Sequence, residues 1–203
     1  MTKFDKLADD ASTKKAVKAL KENGIEAFVV ESGKEAKEMA LEMIPKGAEV
    51  MTMTSATSDA IGLSKEINDS GNYVSLHKKL FSLDRETQGK EMQVIGATPD
   101  WAVGSVHAVT EDGKVIVASA TGSQLGAYSY GASNVLWIVG SQKIVKNLDD
   151  GMKRIYEHTF PLEDARAKKV YGMGSGVHKL LIVNKEWKPG RIKMIIVKEN
   201  LGF

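Results

Sequence analysis

Two hydroxyl-rich turns hold most of what this sequence can offer an anion. Thr54, Ser55, Thr57 and Ser58 follow the apolar run 49–53 and precede a helical pattern over 59–69. Thr121, Gly122, Ser123 and Gln124 follow a second apolar run, 114–120, and open a short helix near 124–130. A turn that leaves a strand and enters a helix aims N–H groups and hydroxyls at one point, where phosphate or carboxylate is bound. Gly122 permits close backbone approach. The same residue types also cap helices, and in the first turn Thr57 or Ser58 is the expected cap. Both turns are expected at the C-terminal edge of a sheet, facing each other across one anionic ligand.

Strand alternation over 105–111 puts His107 and Glu111 on one face, an arrangement open to acid/base catalysis when such groups are partly buried. A hydrogen-bonded histidine and a surface carboxylate beside a turn are the competing reading. Lys143, after the apolar run 135–139, can neutralise an anionic substrate, although a lysine is by default a surface residue. The four histidines, at 77, 107, 158 and 178, have no close ligand spacing, so no metal site is expected. The sequence has no cysteine, which excludes disulfides and any cysteine-ligated iron–sulfur cluster held by this chain. No intrinsic cofactor is expected.

The elements that must position these residues alternate. Residues 1–23 pattern as an amphipathic helix, 25–30 as a strand, 33–44 as a helix ended by Pro45 and Gly47, and 49–53 as a strand. The stretch 71–92 is strand-like only at 73–76. Strands at 105–110 and 114–120 flank Asp112-Gly113, a pair suited to a tight primed turn. The run 135–139 is apolar throughout, as in a strand buried on both faces of a parallel sheet. Helices follow near 145–156 and after Pro161, and strands at 180–183 and 191–198 close the chain. This order predicts one α/β domain over 1–203, a Rossmann-like three-layer α/β/α sandwich with a mostly parallel sheet and a β-hairpin excursion.

The chain has 203 residues and a net charge of +2, but residues 141–203 carry 13 basic against 7 acidic groups. No aromatic stripe accompanies this excess, so a solvated surface is expected rather than a nucleic-acid site. No run of 18 apolar residues is present and the first 20 lack a signal peptide's apolar stretch, which places the protein in the cytoplasm, away from membranes. Tyr128, Tyr130 and Trp187 read as exposed aromatics and point to a homo-oligomer.

The segment GSVHAVTEDGKVIVASATGSQLGAYSYGASNVLWIVGSQKIVKN, residues 104–147, resembles the core of the lactate-utilisation (LUD) domain family. The resemblance extends upstream to GAEVMTMTSATSDAIG and downstream through Arg154, Pro161 and IIVKENLGF. It implies a fold similar to glucosamine-6-phosphate deaminase, ribose-5-phosphate isomerase and CoA transferases. It also implies a small anionic ligand, whether carboxylate, phosphate or CoA-type, in bacterial oxidation of lactate to pyruvate beside iron–sulfur lactate-oxidation proteins. Loop 51–58 has less glycine than the phosphate loop of that superfamily. The alternative is a non-catalytic ligand sensor or an assembly subunit for the iron–sulfur partners. A carboxylate such as Glu111 is the residue type that serves as base or nucleophile in the related enzymes.

Overall fold

Successive residues of the apolar run 135–139 serve two different cores. Val135, Trp137 and Val139 pack with Ala16, Leu20 and Met194, whereas Leu136 and Ile138 pack with Ala36, Ala40, Leu63 and Ile67. Side chains alternate across a strand, so a strand apolar at every position must be covered on both faces. The computed structural model, which describes residues 2–203, shows how that cover is built.

In chain order the elements are α1 (Asp10–Glu22), β1 (Glu26–Val30), α2 (Gly33–Met43), β2 (Glu49–Thr52), α3 (Ala56–Ala60), α4 (Leu63–Asp69), β3 (Val74–Ser75), α5 (Leu76–Ser82), α6 (Gly89–Ala97) and β4 (Trp101–Gly104). Then come β5 (Ala108–Thr110), β6 (Val115–Ser119), β7 (Asn134–Gly140), β8 (Ile144–Val145), α7 (Leu148–Arg154), α8 (Phe160–Tyr171), β9 (Lys179–Val183) and β10 (Ile192–Val197). The main sheet has the order β1-β10-β7-β4-β2-β3, and every pairing in it is parallel. The loops that follow β2, β4, β7 and β10 therefore emerge at one edge.

Helices α2, α3 and α4 cover one face. The other is covered by α1 together with a second sheet, of order β8-β5-β6-β9. The expected hairpin is thus the centre of a larger structure, because β8 adds parallel to β5 and β9 adds antiparallel to β6. Helix α7 packs on the outer side of this sheet, where Ile155 meets Ala108, Ile116 and Val145.

Several local expectations are corrected. The first helix begins at Asp10, with the Asp9 carboxylate accepting from Ser12 N, and Phe4 is buried by a separate 3-10 turn, Lys3–Asp5; Met1 lies outside the described residues. In the hairpin only Gly113 has positive φ, at +79°, and the three-residue loop 111–113 replaces the primed two-residue turn. Residues 71–97 form short β3 and helices α5 and α6, whose half-exposed faces left little periodicity to read. The helix expected near 124–130 is a π-helical turn, Ala127–Gly131.

Tyr128 is buried, not exposed, with its ring edge-on to Trp137 at 5.4 Å. Arg191 donates to the carbonyls of Tyr128 and Ala132 at 2.9 and 3.2 Å and pairs with Glu186 at 2.9 Å. It thereby satisfies acceptors that a π turn leaves free. Tyr130 and Trp187 are the exposed aromatics, at 90% and 93%.

Candidate functional site

Three adjacent parallel strands, β2, β4 and β7, deliver Thr57, Ser105 and Lys143 to the same sheet edge. Lys143 is buried rather than a surface lysine, because the 3-10 turn Ser141–Lys143 directs it beneath the loops instead of outward. Its ammonium nitrogen lies 2.9 Å from Thr57 Oγ1, 3.1 Å from Ser105 Oγ and 3.2 Å from the Val106 carbonyl. All three partners are uncharged. Burial, and then the neighbouring Arg154 cation, push the Lys143 amine well below the usual lysine range.

Arg154 is fully buried on α7. Its Nη1 donates to the His107 carbonyl at 2.6 Å and to Thr159 Oγ1 at 2.9 Å, while Nε and Nη2 have no partner among the described residues. Burial lowers its pKa to about 10, against the raising influence of Asp5. The π-helical turn Ile155–Thr159 brings Thr159 and His158 toward this guanidinium. Nearby, the His158 ring lies 3.0 Å from Thr2 Oγ1 and 3.5 Å from Asp5.

His107 joins the cluster as a donor. Its Nδ1 accepts from Ala118 N at 3.0 Å, so the ring hydrogen sits on Nε2. Burial, then Lys143 and Arg154, hold its pKa down to about 3. A base that weak does not abstract protons near neutrality. Ser105 and His107 keep partial solvent access, so the cluster is not sealed.

Glu111 is placed elsewhere, which corrects the expected pairing with His107. Strand β5 ends at Thr110, and Glu111 instead accepts from Lys15 at 2.7 Å and from Ser12 at 3.0 Å, both on α1. Those bonds, with Lys15 first, hold its carboxyl below the usual range.

The first turn divides its residues. Ser55, not Thr57 or Ser58, caps α3, accepting from Ser58 N at 3.2 Å. Thr57 accepts from Lys143 and donates to the Leu201 carbonyl at 3.1 Å, and the buried Ser58 hydroxyl has no partner among the described residues. Thr54 points to the other side of the loop, into an open pocket. In the second turn, Thr121 Oγ1 donates to Ser123 Oγ at 3.1 Å, Gln124 accepts from Ser119 at 3.0 Å, and Lys179 holds the Thr121 carbonyl at 2.6 Å beside Gly122. The two turns reach the segment 105–107 by different routes, the first through Lys143 and the second through Ala118 at its head.

Arg154 is the buried charge that the candidate residues of the sequence leave out. Gly151, Arg154 and His158 recur at three and four within the apolar side of that helical stretch, and a charge in a buried stripe is the signal that marks it.

Among the described residues no helix is long and apolar enough to cross a membrane, and no three His, Asp or Glu side chains gather as a metal site. A search of curated proteins finds no match. Among solved structures the chain is similar to a DUF162 family protein from Deinococcus radiodurans. That match has 13% identity and a TM-score of 0.59, and covers 95% of this chain and 99% of that one. A ribose 5-phosphate isomerase from Plasmodium falciparum matches at 10% identity and a TM-score of 0.34, over 78% and 80% of the two chains. The family model of the LUD domain matches residues 13–197, and the chain belongs to the LUD domain family.

Proposed function

We propose that this protein binds a small anionic metabolite of lactate utilisation, a carboxylate, phosphate or CoA-type ligand, at the edge where Thr57, Ser58, Ser105, His107 and Lys143 gather. One observation carries the reading: the Arg154 guanidinium and the Lys143 amine, which an anion would draw into its protonated form, are buried together with no buried carboxylate beside them among the described residues. Desolvated positive charge is costly unless it meets negative charge and hydrogen-bond acceptors. Lys143 already meets three acceptors, and beside it two Arg154 N–H directions and the Ser58 hydroxyl have no partner among the described residues, with His107 Nε2–H near a segment of modest solvent access. Ligands in open α/β sheets gather at this edge.

The residues support binding more directly than turnover, since His107 is a poor base and Glu111 is held by α1. Electron transfer in the same pathway belongs to iron–sulfur partners, because a chain without cysteine holds no cluster by thiolates. Membership of the LUD domain family supports the pathway. Tyr130 and Trp187, exposed near the start of β7 and β10, are the surface we assign to a homo-oligomer.

The test is titration calorimetry of lactate, pyruvate, inorganic phosphate and CoA esters against wild type and Lys143→Met. At ~1.5–3 kcal/mol for a charge-assisted hydrogen bond, the variant should bind about ten-fold to a hundred-fold more weakly. Equal affinity in a folded Lys143→Met protein rejects the site.

A further inference from the structure

Strand β9 is the last of the second sheet and pairs only with β6. The carbonyl of Ile116 accepts from His107 N and that of Ser119 from His178 N, so even-numbered β6 residues bond toward β5 and odd-numbered ones toward β9. Leu181 and Val183, opposite Val117 and Val115, therefore hold the ladder to β6. Leu180 and Ile182, opposite Ala118 and Ile116, turn their N–H and C=O groups outward, where no group among the described residues meets them.

The side chains leave the same border bare. Leu180 and Ile182 share the outer face with Ala118 and Ile116, but the cluster beneath α7 ends at those two β6 residues and leaves Leu180 38% and Ile182 37% exposed. On the inner face Leu181 and Val183 pack against the core. The strand reads Lys-Leu-Leu-Ile-Val, without proline, and its one charge, Lys179, is drawn to the Thr121 carbonyl of its own chain at 2.6 Å. An apolar edge without proline or a free charge is open to a further strand. The border continues into the exposed aromatics: Trp187 stands in the loop after β9, and Arg191 ties that loop to the turn of Tyr130 by bonding both Glu186 and the Tyr128 carbonyl.

We propose that β9 pairs antiparallel with β9 of a second copy of this chain, across a two-fold axis at Leu181, so that the two four-stranded sheets become one. In this register Leu180 of each copy faces Ile182 of the other. Each such pair exchanges two backbone hydrogen bonds, and only groups that already point outward are used. The strand is its own complement, as a two-fold contact requires. Leu180 and Ile182 cover each other on the outer face, and Lys179 stands opposite Val183 of the second copy, so no like charges are opposed. The pairing rests on the reading of a homo-oligomer and gives that surface its central contact, independently of the anion site.

The chain has no cysteine, so a single introduced thiol reports the contact. Residues paired at the two-fold centre lie about 4.5 Å apart between Cα atoms, within disulfide range. Leu181→Cys should form a covalent dimer under mild oxidation, and Lys179→Cys, displaced from the axis, should not. Ile182→Pro removes an N–H that β6 does not use. In a variant with the wild-type circular dichroism spectrum, the dimer dissociation constant from sedimentation should rise about ten-fold or more. In the wild type, the Leu180 and Ile182 amides should resist hydrogen exchange at high protein concentration and lose that protection on dilution, a readout that needs no variant. A wild type that stays monomeric throughout overturns both this pairing and the homo-oligomer reading. An oligomer in which Leu181→Cys stays unlinked, Ile182→Pro associates as wild type does, or these two amides exchange freely rejects the β9 contact alone.

Discussion

The Lys143 ammonium nitrogen sits 2.9 Å from the Thr57 hydroxyl, a bond between residues 86 positions apart that ties the loop after β7 to the loop after β2. Thr57 passes the link on to the Leu201 carbonyl, and Gln142 Nε2 reaches that same carbonyl at 2.9 Å. The closing segment of the chain is thereby fastened over the sheet edge that carries the cationic cluster.

Anion binding should be accompanied by proton uptake. The folded state depresses the Lys143 pKa through burial and Arg154, and a bound anion acts in the opposite direction by stabilising the ammonium. Calorimetry in buffers of different ionisation enthalpy should show uptake in the wild type and its loss in Lys143→Met. A buffer-independent enthalpy in the wild type contradicts this.

His107 should make the protein less stable as pH falls. Its pKa is about 3 folded and 6.5 as a free side chain, so between these values the unfolded chain binds a proton that the folded one does not. Stability from the neutral ring is complete above about pH 6.5 and declines on acidification, by at most ~1.4 kcal/mol per pH unit. Urea unfolding from pH 7 to pH 4 should show a shallower acid loss for His107→Asn, whose side-chain oxygen can still accept from Ala118 N.

Arg191→Met should be among the most damaging single changes outside the apolar core. It removes the donor to the Tyr128 and Ala132 carbonyls and leaves Glu186 unpaired. Breaking such a buried pair costs about 3–5 kcal/mol, which for a chain of this size lowers Tm by on the order of 10 °C. Thermal unfolding by circular dichroism measures it.

Glu111→Gln should be nearly silent. The Lys15 partner is largely exposed, and exposed ion pairs contribute about 0–1 kcal/mol. Affinity for every anion tested should match wild type, and a large loss of binding would restore Glu111 as a site residue.

Sedimentation at micromolar concentration should show a species heavier than the 22.1 kDa chain. Replacing Tyr130 and Trp187 together by serine should shift it toward monomer while leaving anion affinity intact, because both residues lie near the strand starts and the cluster lies at the strand ends.

The sequence by itself determined what is local. The uniformly apolar run around Val135–Val139 demanded a strand covered twice, Asp112-Gly113 demanded a turn, and the hydroxyl-rich segments after β2 and β6 stand where strand gives way to turn. These signals reside in short-range periodicity and in glycine's access to positive φ. Only the tertiary structure decided which of these residues meet. Glu111 was taken by Lys15, 96 positions away, while Arg154 and Lys143 were buried in one cluster with His107. No period in the chain records such pairings, because they follow from the order in which parallel strands assemble and from which loops then share an edge. The same assembly turned a two-stranded hairpin into a four-stranded sheet by adding β8 and β9, segments whose short apolar runs carry no mark of the strand they will join.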